Sequence, residues 1–426
     1  MATRAPARLE PDRQRVRELA RRELVALNER TRASEALFRR AGQVLPGGVP
    51  SSFQLREPWP VYMTRGERSR VWDADGNEYV DLHNGFGAML QGHAHPAIVA
   101  AVQARAAQGT HFGAPTEDAV VVAEELARRF RLPHWRFTNS GTESTMAAVR
   151  LARALTGRDP VVAIAGAYHG HHDTALATRK TTAGIPQATL DLVHEVPFND
   201  AASMERRVAE LAAEGRAPAC VLMEPAKTHG GISPPAPGYL QAVRELTRRH
   251  GVLLIFDEVK TGLAIAAGGA VERYGVEPDV VALAKALGAG LPSGAIGMSA
   301  GAAGLVESGA VPVFGTFNGN PLGMSAARAN LLDVLTPAAY EHFERLGTRL
   351  AGRLAGPTVA VGARGCVRGS VDDQDLAELT WLWAMNRGVF TTRGRGIEWS
   401  LSTAHTEADV DRCAEVFAEL DAELSR

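Results

Sequence analysis

Short apolar runs alternate with longer segments of helical periodicity through the middle of the chain. Apolar residues recur every three to four positions, the spacing of a helix, at 96–108, 117–130, 142–155 and 238–250. Strand-length apolar runs occupy 135–138, 161–165, 220–223, 252–256 and 280–283. Strands that alternate with helices predict a largely parallel sheet with helices on both faces. Ligands bind such sheets at the carboxyl ends of the strands, so residues directly after strands are the candidates for chemistry.

The two ends of the chain carry different patterns. Residues 1–42 mix many arginines with acidic residues and predict an amphipathic, solvated helix, without the apolar stretch of a secretory signal. The runs at 70–72 and 78–80 flank Asp75-Gly76 and predict a β-hairpin. From about residue 325 the pattern becomes helical, most clearly at 338–354 and 407–424.

These patterns predict an α/β protein with a large and a small domain. A chain of 426 residues exceeds the size of a single hydrophobic core. We expect the large domain over residues 76–325, and we expect 1–75 and 326–426 to form the smaller one together.

Composition narrows the choice of partners. Charged residues make up 22% of the chain and the net charge is -2, so no basic excess favours nucleic acid, and small metabolites are the expected partners. No run approaches the roughly 20 apolar residues of a membrane span. Cys220, Cys366 and Cys413 are too few and too scattered for a disulfide framework or a CxxC metal site. A cytoplasmic location is therefore predicted.

Two strands run directly into ionisable residues. The strand at 252–256 is followed by Asp257, which either caps the next helix or offers a carboxylate to a positive partner such as a protonated pyridine nitrogen. The strand at 280–283 is followed by Ala284 and Lys285. Burial lowers the pKa of a lysine, and the neutral amine can form a Schiff base with an aldehyde. The alternative for Lys285 is a lysine whose amine reaches solvent from a strand end.

A third strand leads into a polar turn and a long helix. Ser140, Gly141 and Thr142 stand at the start of this helix, where backbone N–H groups can bind a phosphate. The alternative is a capping box formed by Ser140 and Glu143. After the strand at 161–165, Tyr168 offers a ring that can stack on a flat heterocycle.

Together these segments resemble the fold-type I enzymes of pyridoxal 5'-phosphate (PLP), and within them the class III aminotransferases. The resemblance rests on Asp257-Glu258-Val259, on YGVEPD at 274–279 and on KALGAGLP at 285–292. Four further blocks resemble the branch of glutamate-1-semialdehyde aminomutase and its aminotransferase relatives: GHAHP at 92–96, FGAPTE at 112–117, GT at 315–316 with GNPL at 319–322, and AHT at 404–406.

The resemblance implies a role for each of ten residues. Lys285 would bind PLP as a Schiff base and act as the general base, Asp257 would hold the ring nitrogen protonated, and Tyr168 would stack on the ring; these three are the predicted catalytic residues. The other cofactor-binding residues that it implies are Ser140, Gly141 and Thr142 at the phosphate, Val259 on the second ring face, His169 and Glu224 near the cofactor, and Thr316 at the phosphate of a neighbouring subunit. A homodimer with shared active sites follows from the role of Thr316.

The function implied is amino-group transfer from an amine or amino acid to a keto acid or aldehyde. One alternative is a glutamate-1-semialdehyde 2,1-aminomutase or another PLP isomerase, and another is a non-catalytic relative, against which the presence of Lys285 and Asp257 argues. A metal enzyme is not favoured, because His169, His171 and His172 lack acidic ligands at a suitable spacing.

Departures from the aminomutase branch favour an aminotransferase. Gln54 stands where the resemblance places the arginine that binds the substrate carboxylate, and Ser51 and Ser52 stand where related β-amino acid aminotransferases place theirs. The segments at 174–187 and 365–387 are shorter than in the aminomutases. Other cations that could bind a carboxylate, each of which also fits a surface charge, are Arg56, Lys227, Arg393 and Arg395.

Overall fold

The computed structural model describes residues 12–179, 181–368 and 373–425. Its strands are β1 (Met63–Glu67), β2 (Arg70–Asp73), β3 (Glu78–Asp81), β4 (His134–Thr138), β5 (Val161–Ile164), β6 (Val193–Val196), β7 (Cys220–Met223), β8 (Leu253–Asp257), β9 (Val280–Leu283), β10 (Gly294–Met298), β11 (Thr358–Val361), β12 (Arg364–Val367), β13 (Val389–Phe390) and β14 (Glu398–Ser400).

The helices surround these strands, and short 3-10 turns at Pro46–Gly48, Ser52–Gln54 and Lys285–Gly288 and a π turn at Asn330–Val334 connect some of the elements. The helices are α1 (Arg13–Glu29), α2 (Arg32–Ala41), α3 (Asn84–Gly87), α4 (Pro96–Gln108), α5 (Glu117–Phe130), α6 (Gly141–Thr156), α7 (Asp173–Leu176), α8 (Gln187–Leu190), α9 (Ala201–Ala213), α10 (Tyr239–His250), α11 (Gly269–Tyr274), α12 (Ala300–Glu307), α13 (Pro321–Ala329), α14 (Pro337–Ala351), α15 (Gln374–Asn386) and α16 (Glu407–Leu424).

A seven-stranded sheet with the order β4-β10-β9-β8-β7-β5-β6 forms the centre of the molecule. β10 runs antiparallel to both of its neighbours, and the other pairs are parallel. All residues of β5, β7, β9 and β10 are buried, as expected for strands covered on both faces. The predicted α/β architecture with a mostly parallel sheet is confirmed.

Two smaller sheets combine strands from both ends of the chain. One has the order β1-β2-β3-β13, in which β13 pairs with β3, and it contains the predicted hairpin of β2 and β3. The other has the order β11-β12-β14. The C-terminal region, which the pattern indicated as helical, therefore also contributes four short strands. The domain boundaries at residues 75 and 325 remain predictions.

The prediction of one solvated N-terminal helix is wrong for the described residues, because α1 and α2 are separate and α1 is partly buried. Thr31 has φ -125° and ψ 44°, outside the helical region, and its hydroxyl donates to the carbonyl of Leu27. Val16 and Leu19 lie in the main hydrophobic core. The first eleven residues of the predicted helix lie outside the described residues. No helix in the described ranges is long and apolar enough to cross a membrane.

Candidate active site

A cavity of about 400 Å³ lies at the carboxyl ends of five strands of the central sheet. Residues that follow β4, β5, β7, β8 and β9 face one another there, as parallel strands require. The predicted site residues that line it are Ser140, Gly141, Thr142, Tyr168, His169, Glu224, Asp257, Val259 and Lys285.

Lys285 stands two residues after the buried end of β9, with Ala284 between them. Its φ of +47° lies in the left-handed region, which is unusual for a residue with a side chain and costs about 1 kcal/mol or more. Burial lowers the pKa of Lys285, while the nearby Asp257 carboxylate opposes that change. The site therefore favours the neutral, nucleophilic amine more than water does.

Asp257, at the end of β8, forms a buried pair with His169. Nδ1 of His169 lies 2.7 Å from Oδ2 of Asp257, and Oδ1 of Asp257 accepts the N–H of Val259 at 3.1 Å. Nε2 of His169 is buried without a hydrogen-bond partner among the described residues. The imidazole thus fixes one oxygen of the carboxylate in place, so His169 orients Asp257.

The turn before α6 presents the start of a long helix to the cavity. Ser140 caps α6 by accepting the N–H of Glu143 at 3.2 Å, whereas the Glu143 carboxylate accepts the N–H of Asn139 at 2.8 Å. Ser140 therefore caps the helix and lines the cavity as well. Gly141 cannot carry a side chain, because its Cβ would lie 2.8 Å from the Val259 methyl groups. The N–H groups of the first turn of α6 and the helix dipole together make this turn suited to an anion.

The loop that carries Tyr168 and His169 is fastened to the same helix. The Thr145 hydroxyl donates to the carbonyl of His169 at 2.6 Å, and the Thr142 hydroxyl accepts the N–H of His171 at 3.1 Å. Tyr168 lines the cavity with 45% of its surface exposed, and its ring stacks on His229 with 6.4 Å between centroids. The exposed part of the phenol ring is therefore available to a ligand in the cavity.

Glu224, directly after β7, is buried at the back of the cavity. Burial and the nearby Asp257 charge raise its pKa, which favours the protonated acid. The Thr228 hydroxyl and backbone N–H both donate to its carboxyl oxygens.

Thr316 lies apart from these residues. It is exposed on the segment before α13 and is not among the residues that line the cavity. Its predicted role in a neighbouring subunit remains a prediction.

Lys260 lines the cavity and was not selected from the sequence. Its side chain is largely buried, and burial lowers its pKa to about 8, helped by the positive charge of Arg364. Nζ of Lys260 donates to the carbonyl of Thr228 at 3.2 Å and lies 3.8 Å from Oε1 of Glu398. Its proximity to Arg364 and Glu398 depends on the fold, but the chain contains only four lysines, and this rarity was a signal available in the sequence.

A second cavity of about 450 Å³ is lined by two of the four cations proposed for carboxylate binding. Gln54, Arg56 and Arg393 line it, together with His83. Arg56 donates to the carbonyl of Trp59 at 2.7 Å, and Arg393 pairs with Glu378 at 2.8 Å.

The other two proposed cations lie elsewhere. Arg395 contacts His229 at 3.2 Å, and Lys227 lies outside the residues that line either cavity. Arg56, Arg393 and Arg395 thus have partners within the chain.

The first cavity fits PLP. Lys285 supplies an amine of lowered pKa for the aldehyde, Asp257 supplies a fixed carboxylate for the ring nitrogen, and the start of α6 supplies donors for the phosphate. These three groups face the same space, which is wide enough for a small heterocycle.

Comparisons with known proteins agree with this assignment. The family model described as aminotransferase class-III matches residues 53–364. A glutamate-1-semialdehyde 2,1-aminomutase of Sorangium cellulosum is 40% identical over 92% of this chain and 97% of its own length. A solved glutamate-1-semialdehyde-aminomutase from Pseudomonas aeruginosa in complex with PMP has a TM-score of 0.88 and 30% identity, and the match covers 98% of this chain and 100% of the other.

An omega-transaminase from Sphaerobacter thermophilus has a TM-score of 0.85 and 33% identity, and the match covers 92% of this chain and 98% of the other. The predicted family resemblance is confirmed by these matches. The chain belongs to the class-III aminotransferase family and is an enzyme that uses pyridoxal 5'-phosphate.

Proposed function

We propose that this enzyme moves an amino group within a small carboxylate-bearing substrate, as a glutamate-1-semialdehyde 2,1-aminomutase. The observation that carries this proposal is the 40% identity to a relative of that name over 92% of the chain. The sequence favoured transfer of the amino group between two molecules, with the aminomutase as the alternative. The similarity to the relatives supports that alternative better.

The residues that line the cavity have different roles in such a reaction. When bound, PLP supplies an electron sink that makes the C–H bond at the amine-bearing carbon of the substrate easier to break. Lys285 would hold the cofactor and, once its amine is free, would act as the general base that takes the proton from the amine-bearing carbon of the substrate. Asp257, fixed by His169, holds a proton on the ring nitrogen. Ser140, Gly141 and Thr142 bind the phosphate, and Tyr168 and Val259 enclose the ring.

A second candidate is an intermolecular aminotransferase, which Gln54 favours. Gln54 lines the second cavity where the aminomutases are expected to carry an arginine, and a neutral amide cannot form the bidentate pair that arginine makes with a carboxylate. The similarity to an omega-transaminase at 33% identity supports the same candidate.

One assay separates the two candidates. The purified holoenzyme is given glutamate-1-semialdehyde alone, and 5-aminolevulinate is measured; an aminomutase forms it without a keto acid, because the amino group stays in the molecule. The second arm offers amino donors with pyruvate or 2-oxoglutarate. Efficient exchange in the second arm with negligible 5-aminolevulinate in the first would overturn the aminomutase proposal and establish the aminotransferase.

We also propose that the enzyme is a cytoplasmic homodimer. Thr316 is exposed, and Phe314 and Phe317 beside it are 90% and 58% exposed. The ring of His111, whose neighbour Phe112 is 51% exposed, lies 5.0 Å from the ring of Phe317. Apolar side chains grouped in this way are typical of a surface that another chain covers. Thr316 would then reach the phosphate site of the partner.

A further inference from the structure

Four largely buried ionisable side chains form a cluster beside the cofactor cavity. They come from distant parts of the sequence: His83, Lys260, Arg364 and Glu398. Arg364 starts β12, and Glu398 starts β14, which is its neighbour in the three-stranded sheet. Arg364 is 2% exposed and Glu398 8%. The side chain of Lys260 is 19% exposed.

Two cations in this cluster share one carboxylate oxygen. Nη2 of Arg364 lies 3.4 Å from Oε1 of Glu398, and Nζ of Lys260 lies 3.8 Å from the same atom. Both distances are long for charged pairs, which usually approach to about 2.7–2.9 Å. Nη1 of Arg364 is buried and has no hydrogen-bond partner among the described residues. A buried cation without a close partner is costly, and here two cations share the single carboxylate of Glu398 at long distances.

The other acidic group near these cations does not supply a second anion. Glu224 influences both Lys260 and Arg364, but burial raises its own pKa and favours its neutral form. The cluster therefore carries an excess of positive charge.

The cluster adjoins both cavities through Lys260 and His83, and Arg364 and Glu398 lie behind them, outside the residues that line either cavity. Lys260 lines the cofactor cavity, and His83 lines the second cavity. His83 lies close enough to Lys260, Arg364 and Glu398 for their charges to influence its pKa, which burial lowers. Gly87, at the end of α3, leaves room for the guanidinium, since a Cβ there would collide with Nη1 of Arg364. The next residue, Ala88, lines the cofactor cavity.

We propose that Arg364 and Lys260 form the binding subsite for the carboxylate of the substrate, with Glu398 as the competing internal anion. This inference rests on the proposed function, since it assumes a substrate with a carboxylate at some distance from the reacting amine. The proposal places carboxylate recognition beside the sheet β11-β12-β14, where Glu398 lies near Lys260, rather than at Gln54. A bound carboxylate offers a hydrogen-bond acceptor to Nη1 of Arg364 and a second one to Nζ of Lys260.

Binding of an unreactive carboxylate tests the subsite without any turnover. Pentanoate, with pentanamide as its neutral counterpart, is titrated into the holoenzyme by calorimetry. We expect pentanoate to bind and pentanamide to bind at least tenfold more weakly. Lys260→Met and Arg364→Met should each weaken pentanoate binding about tenfold or more, the range for one hydrogen bond between charged groups. Glu398→Gln should tighten it, because the competing carboxylate is gone.

Lys227→Met is the matched control, since it makes the same substitution outside the cluster, and it should bind pentanoate like the wild type. Arg393→Met tests the second cavity. Loss of binding in Arg393→Met with unchanged binding in Lys260→Met and Arg364→Met would overturn the proposal. So would weaker binding in Glu398→Gln, which indicates that Glu398 only supports the structure.

Circular dichroism of each variant identifies any that fails to fold, and either of Lys260→Met and Arg364→Met is sufficient for the test. Failure of the proposed function is distinguishable: a holoenzyme that forms no 5-aminolevulinate but shows this binding pattern retains the subsite. Conversely, an active aminomutase in which all variants bind pentanoate equally does not have it.

Discussion

The pKa of Lys260 reports on both its burial and the charges around it. Burial and the charge of Arg364 lower this pKa from 10.5 to about 8, while Glu398 acts in the opposite direction. Because one pKa unit corresponds to about 1.4 kcal/mol, the folded protein disfavours the charged amine by about 3 kcal/mol relative to water. Removal of the Glu398 charge in Glu398→Gln should lower the pKa further. Removal of the Arg364 charge in Arg364→Met should raise it.

Nuclear magnetic resonance can read this value because the chain contains only four lysines. Protein labelled with ¹³C at the lysine ε carbon gives few signals, and the signal that is absent from Lys260→Met identifies Lys260. Its chemical shift is then followed from pH 6 to 11. A midpoint within about one unit of 10.5 would refute the reasoning, and so would shifts of the wrong sign in the two variants.

The same pKa predicts how stability depends on pH. Below pH 8 the folded and unfolded states both hold the proton, so the full cost of burying the charge applies. Between about pH 8 and 10.5 the folded state has lost the proton that the unfolded state still binds, and stability rises with pH. The wild type should therefore gain stability relative to Lys260→Met over this range, by at most about 3 kcal/mol. Unfolding midpoints of the two proteins at pH 7 and pH 10 measure the difference.

Three further predictions concern the proposed catalytic and cofactor-binding residues. Lys285→Ala should abolish turnover, and borohydride reduction of the wild type followed by peptide mapping should label Lys285; label on another lysine contradicts the assignment. Asp257→Asn should retain the cofactor but slow proton removal from the bound substrate about 10²–10³-fold in stopped-flow absorbance, because a neutral amide stabilises no charge on the ring; a loss below tenfold means that another group does this. Thr316→Ala should weaken cofactor binding about tenfold in a homodimer, and a fully active monomer in sedimentation contradicts the shared site.

Much of the central architecture could be predicted because the pattern was local. The runs that became β7 and β9 are apolar throughout and match the structure to the residue. Once the strands are parallel, their carboxyl ends must lie along one edge, and this alone predicts that Ser140, Asp257 and Lys285 approach one another. The structure places them around one cavity.

The parts that the sequence did not predict depend on contacts between distant segments. β11, β12 and β14 are only three or four residues long, too short for a periodic signal against the flanking helical patterns. The prediction of a solvated N-terminal helix was likewise wrong because apolar residues of α1, such as Leu19, are buried where α1 packs against α15. The neighbourhood of Lys260, Arg364 and Glu398 arises only when β12 and β14 pair and approach β8.

The identity of the cation at position 260 is informative, because this chain otherwise uses arginine. Four lysines stand among 46 lysines and arginines, yet two of the four, Lys260 and Lys285, line the cofactor cavity, and no arginine is among the lining residues that the structure describes. Arginine stays charged and needs room for a planar group, whereas lysine is compact and changes its pKa when buried. At Lys285 the amine itself is required for a covalent bond. At Lys260 no such bond is proposed, so we attribute the choice of lysine over arginine to its size and charge. An ammonium between the Thr228 carbonyl and Glu398 leaves the cavity open and still presents a cation to it.

Lys260→Arg keeps the positive charge but fills part of the cavity with the larger guanidinium group. It should therefore weaken pentanoate binding as Lys260→Met does, whereas equal or tighter binding in Lys260→Arg would show that charge alone is sufficient.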